Sequence, residues 1–203
     1  LSQTLKKHAH ELLGHQEVQN LLDQLAKSAP KLVEDLTPKT LPLSVIVRVL
    51  QQLLAEQVPI RNFRGICEAL AEHGARSQDI DTLLGSVRVA LGRQIVQELN
   101  GMAEELPVVT LAPDLESLLM QLTQQGSGAL EPGLAERIQE SLQAATREQE
   151  MRGEPAVLLV PAEIRPMLAR FARQAVPGLH VLAHSEIPED KQLRLVQSVA
   201  RNA

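Results

Sequence analysis

Apolar residues recur every three to four positions along the first half of the chain, the spacing that turns one stripe of an α-helix toward a core. Leu1, Leu5, Leu12 and Leu13 predict a first helix that stops at Gly14, a residue suited to the left-handed conformation that ends helices. Val18, Leu21, Leu22 and Leu25 continue the spacing to Ala29-Pro30, where the proline removes an amide donor and ends the segment. A short helical piece, KLVEDL, follows. Thr37-Pro38 and Leu41-Pro42 bracket a turn, after which Leu43, Ile46, Val47, Leu50, Leu53 and Leu54 form the wide stripe of a buried helix. Val58-Pro59-Ile60 is an extended link, because proline disfavours the helical conformation of the residue before it. The next helix is predicted from about Arg61 to His73, with Ile66, Ala69 and Leu70 inward and Gly74 as terminator. A further long helix starts near Gln78 or Asp79, N-capped by Ser77, and carries Ile80, Leu83, Leu84, Val87, Leu91 and Ile95.

After Gly101 the texture changes. Pro107-Val-Val-Thr-Leu111 is short and β-branched, which reads as a strand. Asp114 to Gln125 predicts a helix, Gly126-Ser127-Gly128 a flexible turn, and Glu131 to Arg152 a longer, more polar helix. Ala156-Val-Leu-Leu-Val160 is an unbroken apolar run, typical of a central strand buried on both faces. Ile164 to Val176 predicts a helix and Leu179 to Ala183 a strand. Leu193 to Val199 predicts a last strand, with Leu193, Leu195 and Val199 alternating inward. The fold class is therefore an all-helical subdomain followed by a small α/β subdomain of about four strands, with the boundary between Asn100 and Pro107.

Composition narrows the functions. The chain is 44% apolar, enough for a real core, and that core is aliphatic because Phe63 and Phe171 are the only aromatic residues. A net charge of −5 leaves no excess of positive charge to neutralise phosphates, and base-stacking aromatics are missing, so nucleic acid is not the expected partner. Cys67 is alone, which excludes an internal disulfide and a cysteine-rich zinc site and suits a reducing compartment. No window approaches the length of apolar residues that spans a bilayer, so no membrane contact is expected of this fragment. Leu1 opens inside a helical pattern, as expected of a piece of a longer protein.

Candidate chemistry is sparse. The Gly126-Ser127-Gly128 turn lacks the GK[ST] ending of a phosphate loop and follows a helix, so it reads as a connector. His8, His10, His15 and His73 lack a shared-face metal spacing and read as solvent-facing or capping residues. Cys67 in ICEAL reads as a small core residue. Glu34-Asp35 and Glu104-Glu105 are adjacent carboxylates, which on a helix point about 100° apart and do not share a proton. No catalytic, cofactor or metal residues are assigned. The arginines remain. Arg61 and Arg64 lie one turn apart at the predicted start of a helix, where the dipole disfavours cations, and Arg88 and Arg93 point to different parts of theirs. They fit either an internal ion-pair network with Glu34, Glu68 and Glu72 or a contact with another subunit, where arginine is enriched.

Several blocks in one order carry a resemblance: PKLVEDLTP (30–38), VLQQLLAE (49–56), VPIRNFRGICEALAEH (58–73), VRVALGRQI (87–95), LEPGLAERI (130–138), PAVLLV and RPMLARF within 155–171, and the closing LHVLAHSEIPEDKQLR. Together they resemble the FHIPEP, or FlhA, family of flagellar type III export gate proteins. The resemblance implies a membrane-anchored parent at the cytoplasmic face of the bacterial inner membrane, with a cytoplasmic region of four subdomains. Residues 1–14 would be the terminal helix of a preceding subdomain, 15–104 the helical subdomain and 105–203 the α/β subdomain. It further implies a homo-oligomeric ring of nine that docks export chaperone-cargo complexes and contacts the export ATPase complex, with cargo recognition mainly upstream of Leu1. Asn62-Phe63 stands where the family pattern leads us to expect an acidic residue and a methionine. The expected function is a non-enzymatic scaffold, with Arg61, Phe63, Arg64, Arg88 and Arg93 as protein-interaction residues and no cofactor. Two alternatives stay open: a ligand-binding or catalytic α/β module with a polar pocket near Pro161, His184 and Ser185, and a gate protein of a virulence secretion system.

Overall fold

The computed structural model describes residues 8–126 and 129–201. Two compact units divide the chain between Ile95 and Val96. In the first, helix α1 covers the described residues 8–12; the expected positions Leu1 and Leu5 lie outside the described residues. Then come α2 (His15–Ala26), α3 (Pro30–Glu34), a wide turn of π type (Asp35–Thr40), α4 (Leu43–Ala55), α5 (Phe63–Gly74), α6 (Ile80–Ala90) and α7 (Gly92–Asn100), which crosses the division. Val18, Leu22, Ile46, Leu50, Leu53, Ile66, Leu70, Leu83 and Val87 are buried, the stripes that the helical spacing places inward, and Leu36 and Leu41, in and just after the wide turn, are buried too.

Three local expectations change. Gly14 does not end a helix in the left-handed region: its φ is −115°, and it opens α2 as N-cap, its amide donating to Glu17 Oε2 at 3.0 Å. Gly74 is the last residue of α5, but its role is steric, since a Cβ there would stand 2.7 Å from Leu41 Cγ. The long helix after Gln78 is broken at Leu91 into α6 and α7, where Gly92 offers little helix propensity. Its N-cap is Asp79, whose carboxylate accepts from the Thr82 amide at 3.0 Å, while Ser77 Oγ accepts from the Asp79 amide.

The end of α4 is a Schellman motif. Val58 N–H donates to Leu53 O at 2.8 Å and Gln57 N–H to Leu54 O at 3.0 Å, with Gln57 at φ +61° where glycine is usual. Val58 and Leu53 are both buried, the apolar contact that accompanies this cap.

The second unit contains β1 (Glu105–Leu111), α8 (Pro113–Gln124), α9 (Pro132–Met151), β2 (Ala156–Val160), α10 (Arg165–Ala175), β3 (Leu179–Ala183), a 3-10 turn (His184–Glu186) and β4 (Gln192–Val199). The four strands form a parallel sheet in the order β3-β2-β1-β4. All five residues of β2 are buried, as a central strand requires. Val109, Leu111, Leu158, Val160 and Val199 face a core completed by Leu115, Leu119, Leu134, Ile138, Leu142, Ile164 and Leu168 from the helices. Of the expected Gly-Ser-Gly turn, Ser127 and Gly128 lie outside the described residues; Gly126 takes φ +73° at the end of α8.

The alternation expected along β4 is interrupted. Val108 pairs with Leu195 but Val109 pairs with Gln197, so one extra residue, Val196, sits in the edge strand. Such a bulge reverses which side of the strand faces the core. Leu193 and Leu195 fall on the side of Leu106 and Val108, and Val199, beyond the bulge, on the side of Leu111; before the bulge β4 is exposed on both sides, Gln192 and Arg194 included, while Val199 is buried.

Candidate protein-contact surfaces

In the helical unit the sequence-nominated residues separate into one internal group and several exposed ones. Arg88 is 2% exposed, and its Nη1 lies 3.0 Å from Glu56 Oε2. Glu56 is the C-cap of α4, where the carbonyl-rich helix end disfavours an anion, and Arg88 is in the last turn of α6, where a cation is favoured. The pair therefore relieves one unfavourable site with a favourable one and locks α4 to α6. Arg88 organises the unit from within and is not on its surface.

Arg61 precedes α5 and is exposed. The helix begins at Phe63, two residues after Arg61, because Asn62 is the N-cap: its side chain accepts from the Gly65 amide at 3.1 Å. Asn62 thus performs a capping role that an acidic residue could also fill. Phe63 is half-buried at the first helical position. Arg64 is exposed and pairs with Glu68 along the helix at 3.0 Å, a solvent-screened contact. Arg93, in the first turn of α7, is exposed, as is Val89 near the end of α6. Gln94 Nε2 donates to Pro59 O at 3.2 Å, which ties the extended link before Arg61 to α7.

In the α/β unit the exposed large apolar side chains among the described residues are Met102, Met151, Leu193 and Leu195. Met102 precedes β1 and Met151 closes α9 just before β2, while Leu193 pairs with Leu106 near the start of β1. In a parallel sheet all strands start at one end, so these residues gather toward that end. Arg194 braces it, paired with Glu105 at 3.5 Å and also with Glu154, and Lys191 Nζ donates to Ala103 O. Sequence reading missed this surface because Leu193 and Leu195 alternate as core residues do. The bulge that breaks this alternation has no sequence signature of the Gly kind.

The opposite end of the sheet is where a ligand site of an open α/β fold is sought. Pro161 is half-buried, and His184 and Ser185 are exposed. Two charged side chains there turn inward instead: Arg165 and Glu186 are each about 2% exposed, with Nε and Oε2 3.6 Å apart, and Arg165 Nη1 also donates to Val181 O. They fasten α10 to the turn after β3. Cys67 is buried, and burial, with the Glu68 carboxylate adding, pushes its thiol up to about 12, which suppresses the nucleophilic thiolate. Among the described residues no group of three or more His, Cys, Asp or Glu side chains is arranged to hold a metal, and no helix is long and apolar enough to cross a membrane.

The FHIPEP family model matches residues 1–192. Over 199 residues the chain is 45% identical to flagellar biosynthesis protein FlhA of Escherichia coli (strain K12), covering 98% of this chain and 29% of that relative. It therefore spans under a third of that relative's length. Among solved structures, the Shigella flexneri MxiA protein superposes with a TM-score of 0.85 at 29% identity, over 98% of this chain and 63% of that one. Nonameric SctV-C of EPEC superposes with a TM-score of 0.86 at 27% identity, over 98% of this chain and 60% of that one. Helical unit and α/β sheet are both within these matches, and the chain belongs to the FHIPEP family.

Proposed function

We propose that this chain is part of the cytoplasmic scaffold of a flagellar type III protein export gate, positioned at the inner membrane by the rest of its parent. It supports ring assembly and the docking of export chaperone-cargo and ATPase-complex components. The observation that carries this reading is the 45% identity, continuous through both units, to a protein named for flagellar biosynthesis. The identities of 29% and 27% to MxiA and SctV-C are lower, which favours the flagellar branch over the virulence one. That the SctV-C relative is nonameric supports a ring for this chain. The contacts are assigned to exposed Arg61, Arg64 and Arg93 with half-buried Phe63 in the helical unit, and to exposed Met102, Met151, Leu193 and Leu195 in the α/β unit. Mixed arginine and flexible apolar side chains suit protein surfaces that bind and release.

The test is a chimera in which this chain replaces the matching segment of the Escherichia coli relative in cells lacking their own copy. Swimming and release of flagellar subunits into the medium are expected to be restored. Leu193→Asp with Leu195→Asp should lower export while leaving the protein level and thermal unfolding unchanged, and separately Arg61→Glu with Arg93→Glu should lower export by more than any fall in protein level or unfolding midpoint accounts for. A well-expressed chimera that exports nothing would sink the flagellar reading; full export by both charged variants would sink the surface assignment.

A further inference from the structure

Asn100-Gly101 is the only Asn-Gly step in the chain; Asn20, Asn62 and Asn202 precede Leu, Phe and Ala. Asn100 is the last residue of α7, and its Nδ2 donates to Glu105 O at 2.9 Å, tying the helix end to the start of β1. Gly101 has φ +59°, residues 101–104 are exposed, and nothing lies within 4 Å of where a Gly101 Cβ would stand. The Gly101 amide is held by a bond to Gln97 O at 2.8 Å in the final helical turn, a place where helices fray. Gly101 then offers a backbone nitrogen with no side chain to crowd it and wide conformational freedom around it.

We infer that Asn100 is a site of spontaneous deamidation. When the last turn of α7 opens, Gly101 N attacks Asn100 Cγ, the Cγ–Nδ2 bond breaks, and ammonia leaves to give a cyclic succinimide. Water then adds to one of its two carbonyls, opening the ring to aspartate or to isoaspartate, which carries an extra backbone methylene. No oxidant or cofactor takes part. The product replaces a neutral donor with a carboxylate that only accepts hydrogen bonds, opposite the Glu105 carbonyl it once served. It also adds negative charge beside Glu104 and Glu105, so the tie between α7 and β1 is lost with age.

The test is incubation of the folded chain at mildly alkaline pH, followed by peptide mapping for the mass gain of amide-to-acid conversion and by isoaspartate-specific labelling. Conversion is expected at Asn100 ahead of Asn20 and Asn62, and Gly101→Ala should abolish that lead. Because alanine at this φ is strained, Asn100→Ser serves as a second variant, and loss of the isoaspartate signal is expected in it. Conversion at Asn100 no faster than at Asn20 or Asn62, or undiminished in Gly101→Ala, would overturn the assignment. Asn100→Asp mimics one product and should lower the unfolding midpoint; an unchanged midpoint would remove the structural consequence.

Discussion

Arg88 and Glu56, thirty-two residues apart in sequence, meet at 3.0 Å in the interior of the helical unit. Removing one member of a buried pair leaves the other charge uncompensated, so Arg88→Ala should destabilise the chain by about 3 kcal/mol. Arg64→Ala, which loses an exposed pair with Glu68, should cost under about 1 kcal/mol. Replacing both buried partners, Arg88→Met with Glu56→Leu, should recover most of the loss. Urea unfolding of the variants decides; similar losses for Arg88→Ala and Arg64→Ala would contradict the assignment of Arg88 to the interior.

Gln57 occupies the left-handed position of the α4 Schellman motif at φ +61°. A side chain there carries a steric cost that glycine escapes, although glycine also makes the unfolded chain more flexible. Gln57→Gly is expected to be net stabilising by roughly 0.5–1 kcal/mol, about 1–2 kcal/mol of left-handed strain relieved less about 0.5–1 kcal/mol for the added flexibility. Gln57→Val, β-branched, should go the other way. A thermal scan showing the reverse order would mean that side-chain contacts of Gln57 outweigh its backbone.

Gly74 and Leu41 are packed so closely that Gly74→Ala would bring Cβ within 2.7 Å of Leu41 Cγ and 2.8 Å of Cδ1. Leu41 is fully buried, so the intruding methyl cannot be relieved by swinging it to solvent. Overpacking of this kind costs roughly 1–3 kcal/mol. Combining Gly74→Ala with Leu41→Ala should cost less than the two separate losses added together. Additive losses in a double-mutant cycle would show that the two sites do not share the space.

The Cys67 thiol is pushed up from its ordinary 9.0 to about 12, chiefly by burial and further by Glu68. With the folded thiol held neutral, the unfolded chain loses its proton first as pH rises above 9, so the unfolded state binds fewer protons there. Stability contributed by Cys67 is intact below pH 9 and declines between 9 and about 12. Cys67→Ala should flatten the alkaline limb of the stability curve. Thiol labelling of the native protein near neutral pH should proceed only as fast as unfolding or local opening exposes the group; immediate labelling would place the thiol on the surface.

Much of this architecture was legible because its signals are local. Prolines and glycines punctuate the chain where strands and helices begin, and the runs Ala156–Val160 and Leu179–Ala183 become β2 and β3 at the same bounds. The break between α6 and α7 was not legible, since Leu91 and Ile95 continue the helical spacing across it. Nor was the partner of Arg88: the sequence offers Glu34, Glu68 and Glu72, the last two nearer in the chain, whereas Glu56 reaches it only because α4 and α6 pack together.

Most helices and strands, the aliphatic core and the family that the blocks resemble can be read from residue order alone, because periodicity and composition are properties of the chain. Which arginine turns inward and where the alternation of β4 breaks are settled by three-dimensional packing. Arg88 is buried because a carboxylate from another helix compensates it there, and the alternation of β4 breaks at Val196 because pairing with β1 inserts it as a bulge. Both outcomes depend on a partner distant in sequence, and no window of neighbouring residues contains it.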